Sequence, residues 1–235
     1  MPTAIGPQPL RTYNRAAMLR HVPNLITGAR LVLGIVFFAM LSMYQYRGRG
    51  DPTLLNVAFL TYAIALFTDF LDGYLARRWQ VQSVFGRVVD PFVDKVLVLG
   101  SFIFFAGKNF IIPDPSFGDR HVVKTITGVA PGIVVILLAR ELLVTSIRGL
   151  REAAGESFGA AFSGKLKMVC QSVTILVILL YVNSYHALEQ SRYKPAATFF
   201  RDFCIWVTVG VTVVSGLLYL RRGPALYESA APRAN

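Results

Sequence analysis

Cysteine is nearly absent from this 235-residue chain: there are two, Cys170 and Cys204, each inside an apolar run. Two thiols so placed provide no disulfide framework, and both are expected as small core residues. Histidine is as sparse, and His21, His121 and His186 are scattered across connecting segments and make no ligand set for a soft metal. Charged residues make up only 16% of the chain, with 13 acidic against 24 Lys and Arg. No polar stretch is long enough for a second, soluble domain, and there is no long repeat or low-complexity tract. Period-2 alternation is missing too, which excludes a lipid-facing β-barrel. A cleaved signal peptide is not expected, because the first apolar run is long, starts only near Asn24 and shows no small-residue cleavage site.

What the chain has in abundance is apolar surface. Its apolar content is 54% and its mean hydropathy +0.51, high for a soluble domain of this size. Several segments approach the roughly 20 residues that cross a hydrocarbon core of about 30 Å. The expected fold is therefore all-α integral membrane. Six transmembrane helices are expected near 24–46, 54–77, 84–106, 126–149, 164–185 and 199–221. Residues 14–22, with Arg15, Arg20 and His21 among Ala, Met and Leu, read as a short interfacial helix before the first span. The chain thus divides into an N-terminal segment 1–22, a membrane domain 23–222 and a tail 223–235. More Lys and Arg fall on the face carrying both termini and the 77–87 and 149–164 connections than on the other. The positive-inside rule puts that face, and both termini, in the cytoplasm of a cell's inner (plasma) membrane. The net charge of +11 fits loop bias, anionic lipid and a phosphorylated substrate; no nucleic-acid partner is expected.

Against this background the aspartates stand out. Four of the eight, Asp69, Asp72, Asp90 and Asp94, fall within 26 residues otherwise rich in Leu, Val and Phe. Even one carboxylate near lipid costs several kcal/mol, and four together repel one another unless a cation compensates. Asp69 and Asp72 are i, i+3 on the second span, and Asp90 and Asp94 are i, i+4 on the third, so each pair shares a helix face. Antiparallel neighbours joined by a short loop bring all four to one depth, at the cytoplasmic side of the bundle. Such hard oxygen ligands suit Mg²⁺ or Mn²⁺ rather than zinc, and four carboxylates have charge enough for two ions. Gly73 removes a side chain beside them, Ala76 continues that small face, Gly86 opens the third span, and Arg77 sits at the rim within reach of a pyrophosphate oxygen. A structural polar cluster, or the ion path of a cation transporter, is the competing reading; a transporter predicts metal flux and no chemistry.

The run Asp69-Phe70-Leu71-Asp72-Gly73-Tyr74-Leu75-Ala76-Arg77, continued by Gly86, Asp90 and Asp94, resembles the signature of CDP-alcohol phosphatidyltransferases at all eight of its fixed positions. The resemblance implies two divalent ions held by the four aspartates and Asp94 as the general base. It further implies a CDP-lipid gripped by Gly73, Ala76, Arg77, Ser83 and Gly86, and a homodimer.

Two further motifs bear on the acceptor. Pro23-Asn24-Leu25-Ile26-Thr27, with Arg30 one turn on, resembles the first helix of the phosphatidylglycerophosphate synthase branch of that family, where Asn24 and Thr27 would border the CDP site. Arg30 lies within the span and needs a partner. Arg140-Glu141 in the fourth span and Gly164-Lys165-Leu166-Lys167 at the start of the fifth resemble the same branch, although Met168 stands where a threonine usually follows. As neighbours, Arg140 and Glu141 point about 100° apart and are not expected to pair with each other. Arg140, Arg148, Lys165 and Lys167 form a candidate phosphate site beside the aspartates. Such a site fits transfer of a phosphatidyl group from CDP-diacylglycerol to sn-glycerol 3-phosphate. CDP-dependent cardiolipin synthesis and phosphatidylinositol-phosphate synthesis are the alternatives within the family. Gly128, Gly132 and Gly149 are expected to aid helix packing.

Overall fold

The computed structural model describes residues 10–46, 50–79, 84–112, 125–153 and 162–221, with side chains described over 25–46, 50–71, 89, 91–112, 125–152 and 164–221. Among them are six α-helices: α1 Leu10–Met43, α2 Pro52–Trp79, α3 Val84–Phe105, α4 Pro131–Ala153, α5 Phe162–Glu189 and α6 Lys194–Arg221. A 3₁₀ turn at Lys108–Phe110 and a single antiparallel bridge between Ile111 and Thr125 complete the described secondary structure. Each helix overlaps one of the six expected segments. The separate interfacial helix over 14–22 does not form; those residues are the first part of α1, which runs 34 residues through Pro23. The good helix formers Ala16, Ala17, Met18, Leu19 and Arg20 let the helix continue.

The chain is an integral membrane protein, and its surface shows why. Ile35, Phe67, Phe92, Val135, Phe199 and Trp206 are all exposed, an apolar exterior that a water-soluble bundle could not carry. Among the described residues, Leu25–Met43, Pro52–Leu71, Gly164–Glu189 and Lys194–Arg221 are long and apolar enough to cross a bilayer. Helices α1 and α2 pack along each other, as do α5 and α6, while α3 touches α1, α4 and α5. The core between them is aromatic and aliphatic: Phe37, Leu41, Phe102, Phe105, Phe110, Leu137 and Ile178 are fully buried.

Polar contacts knit the end of the bundle where α1 and α3 finish. Asn109 Nδ2 donates to the carbonyls of Leu41 and Ser42, each at 3.1 Å, satisfying acceptors that the end of α1 leaves open. Thr127 Oγ1 donates to the Phe105 carbonyl at the end of α3. Arg201, buried on α6, reaches the Ile126 carbonyl at 2.6 Å, pairs with Asp202 and lies over the Tyr181 ring. At α2, Asp51 Oδ1 accepts from the Thr53 amide at 2.8 Å, a cap followed by proline at the first helical position. The Thr53 hydrogen bonds hold the Asp51 carboxyl below its ordinary value.

Among the described residues the glycine trio packs no helix against another. Gly128 has φ +74°, and a β-carbon there would lie 2.9 Å from both Arg201 Nε and Asp202 Oδ1. It is a turn residue pressed against α6. Among the described residues, a β-carbon on Gly132 or Gly149 would meet nothing within 4 Å.

Candidate active site

Thr27 and Arg30 lie three residues apart on α1, on one helix face, and each is 1% exposed. A guanidinium so deeply buried needs anions, and two supply them from different helices. Arg30 Nη1 is 2.9 Å from Asp69 Oδ1 on α2 and 2.9 Å from Asp94 Oδ1 on α3. The intramembrane arginine flagged in the sequence thus has the signature aspartates as partners. One cationic atom draws together carboxylates 25 positions apart.

The remaining signature residues are only partly described. Asp72, Gly73, Ala76 and Arg77 belong to α2, Gly86 and Asp90 to α3, and Asn24 to α1, but their side chains lie outside the described residues. Ser83 lies outside them altogether. Among the described residues no group of three or more His, Cys, Asp or Glu forms a metal cluster. Asp69 and Asp94 nonetheless converge on a positive charge, as carboxylates that share a cation must.

Asp94 also opens onto a cavity of about 340 Å³ between α3, α4, α5 and α6. All four candidate phosphate ligands, Arg140, Arg148, Lys165 and Lys167, line it. So do Lys95, Glu141, Thr145, Gln171 and Tyr219. The lining carries five cationic side chains, Lys95, Arg140, Arg148, Lys165 and Lys167, against two carboxylates, Asp94 and Glu141. That is a surplus of positive charge suited to an anionic ligand.

Within the cavity wall, Glu141 is a hub. Its Oε1 accepts from Arg140 Nη1 at 2.7 Å and also from Lys167 Nζ on α5. The expectation that Arg140 and Glu141 cannot pair is therefore wrong. The arginine has enough torsional freedom to fold back toward its neighbour, and both residues turn into the cavity rather than toward lipid. Helix α6 completes the clasp: Arg140 Nη2 donates to Ser215 Oγ at 2.6 Å, and the guanidinium lies 5.8 Å from the Tyr219 ring centroid. Gly216 makes room for the arginine stem, since a β-carbon there would sit 3.1 Å from Arg140 Cγ. One turn along α4, Thr145 Oγ1 accepts from Lys95 Nζ of α3 at 2.8 Å.

Sequence reasoning missed Lys95, Gln171, Ser215 and Tyr219. Lys95 carried a signal, being an intramembrane lysine next to Asp94, and Gln171 lies one turn beyond Lys167 in an apolar helix. Ser215 and Tyr219 carried none, because their contact with Arg140 depends on how α6 crosses α4.

Comparison with known proteins follows the same lines. The family model described as CDP-alcohol phosphatidyltransferase matches residues 20–214. A Bacillus subtilis (strain 168) protein named CDP-diacylglycerol–glycerol-3-phosphate 3-phosphatidyltransferase is 30% identical over 211 residues, covering 86% of this chain and 94% of that protein. A Cereibacter sphaeroides protein of the same name is 25% identical over 228 residues, with 86% and 94% covered. A Mycobacterium tuberculosis protein named probable phosphatidylglycerophosphate synthase is 31% identical over 165 residues, covering 70% of this chain and 68% of that protein.

Proposed function

The chain belongs to the CDP-alcohol phosphatidyltransferase family, and on that premise we propose that it transfers the phosphatidyl group of CDP-diacylglycerol to sn-glycerol 3-phosphate, releasing CMP. That it is a CDP-diacylglycerol-dependent phosphatidyltransferase follows from the family and its relatives; the acceptor and the residue roles are our reading. The observation that carries the reading is the cavity that Asp94 shares with Arg140, Arg148, Lys165 and Lys167. A base beside a cationic pocket fits an acceptor bearing both a hydroxyl and a phosphate.

In this mechanism Asp94 takes the proton of the acceptor hydroxyl as its oxygen attacks the lipid-linked phosphorus of the donor. The new P–O bond forms as the P–O bond to CMP breaks. Arg148 and Lys165, at the exposed part of the wall, take the acceptor phosphate; Lys167 and Arg140, tied to Glu141, set the shape and charge of its seat. Arg30 holds Asp69 and Asp94 at one depth. Asp69, Asp72, Asp90 and Asp94 would hold two Mg²⁺ or Mn²⁺ ions. These would supply neutralisation of the donor pyrophosphate and of the departing CMP. Asn24, Thr27, Gly73, Ala76, Arg77, Ser83 and Gly86 would border the CDP-lipid. The catalytic unit is 23–222, with all six helices crossing the inner membrane, both termini cytoplasmic, and two chains forming a dimer.

The test is CMP release by purified protein with a panel of acceptors, with and without Mg²⁺ or Mn²⁺. Release is expected with glycerol 3-phosphate and a divalent ion together. Activity with phosphatidylglycerol and none with glycerol 3-phosphate would overturn the acceptor assignment.

A further inference from the structure

Gln171 on α5 is 1% exposed, and its Nε2 is buried with no hydrogen-bond partner among the described residues. It lines the same cavity as Asp94. Thr212 Oγ1 is likewise buried and unpartnered but does not line the cavity. Arg140 Nε is buried, unpartnered and beside it, but the rest of that guanidinium is held by Glu141 and Ser215, so among the described residues Gln171 is the neutral cavity side chain left with an open donor. An amide N–H left without an acceptor in an apolar helix bundle is costly, and rotation about the last side-chain torsion would turn it to an acceptor bound in the cavity that Gln171 lines.

Gln171 follows Lys167 by four residues, so it shares that helix face about 6 Å further from the start of α5. The cavity wall along α5 therefore grades from ammonium groups at Lys165 and Lys167 to a neutral amide. A phosphate dianion is drawn to the charged end. The neutral donor beyond it matches a neutral oxygen, one that accepts from an amide without competing for the cations. Resting on the acceptor reading above, we infer that Gln171 is a specificity-determining residue, its amide donating to the non-reacting hydroxyl of a phosphorylated polyol. In glycerol 3-phosphate that group is the middle hydroxyl. A site built to hydrogen-bond a substrate hydroxyl discriminates strongly against the analogue that lacks it.

The experiment compares glycerol 3-phosphate with 3-hydroxypropyl phosphate, the same chain without the middle hydroxyl, on the full-length enzyme and on Gln171→Met and Gln171→Asn. The wild type should favour glycerol 3-phosphate. Gln171→Met, close in shape but without the donor, should lose roughly tenfold to a hundredfold in kcat/KM on glycerol 3-phosphate. It should change less than about twofold on the deoxy analogue and leave the KM for CDP-diacylglycerol alone. Equal losses on both acceptors, or no loss on either, would overturn the inference. If Gln171→Met does not purify as folded protein, Gln171→Asn decides: its shorter amide should narrow the preference, and an unchanged preference sinks the idea. A wild type inactive on glycerol 3-phosphate but active on another polyol phosphate overturns the acceptor reading alone. Gln171 is then judged on that acceptor and its deoxy analogue by the same comparison.

Discussion

Asp94 sits in two environments at once, touching Arg30 in the bundle and lining the cavity. As the proposed general base it should be nearly indispensable. Asp94→Asn is expected to cut kcat about 10²- to 10⁴-fold in the CMP-release assay, at similar acceptor KM; full activity would remove the base assignment. Glu141 is different in kind. It is 6% exposed and holds two cations, so Glu141→Gln leaves Arg140 and Lys167 buried without their anion. Breaking such a cluster costs about 3–5 kcal/mol, read as a lowered Tm in detergent. Adding Lys167→Met to that variant should recover part of the loss, whereas additive losses would mean that the two groups are not coupled.

At the scale of the element, the helix ends show how much was legible. The six helices could be read from apolar runs and their breaks, and among the described residues four of them are long and apolar enough to cross a bilayer. The α1 junction could not: Pro23 and Asn24 look like a helix start, yet the residues before them favour helix strongly enough to continue it. Gly128 was visible only as part of a spacing pattern, and its role depends on Arg201, 73 residues away. Gly128→Ala should cost about 1–2 kcal/mol for the left-handed backbone alone, with more from the contact at Arg201, measured by thermal unfolding. The cap on α2 gives a pH test. The folded pKa of Asp51 is depressed, so its contribution is present above the ordinary aspartate value and is lost as pH falls through the lowered one. Asp51→Asn keeps a capping oxygen but cannot titrate, so its Tm should vary less with pH across that acid range than the wild type's.

For the whole molecule, the aspartate signature and the basic residues of α4 and α5 could be read from sequence as two separate features. That they meet was expected from the resemblance and not from any spacing in the chain. Asp94 joins them because α3 touches α4 and α5 as well as α1, a three-way contact that no local spacing encodes. The pairing of Arg140 with Glu141 was missed for a related reason, since the angle between neighbours on a helix says little about where a long side chain ends. The surplus of cations in the cavity has a kinetic consequence. A dianionic acceptor arriving from the aqueous phase is steered by that field before it touches any wall. Physiological salt screens such attraction over about 8 Å, so capture of the acceptor should slow as ionic strength rises. The lipid donor diffuses in the membrane plane and gains little from the same field. Raising KCl should therefore lower kcat/KM for glycerol 3-phosphate several-fold and leave that for CDP-diacylglycerol nearly flat, which makes the supply of the water-soluble substrate the step most sensitive to the ionic composition around the enzyme.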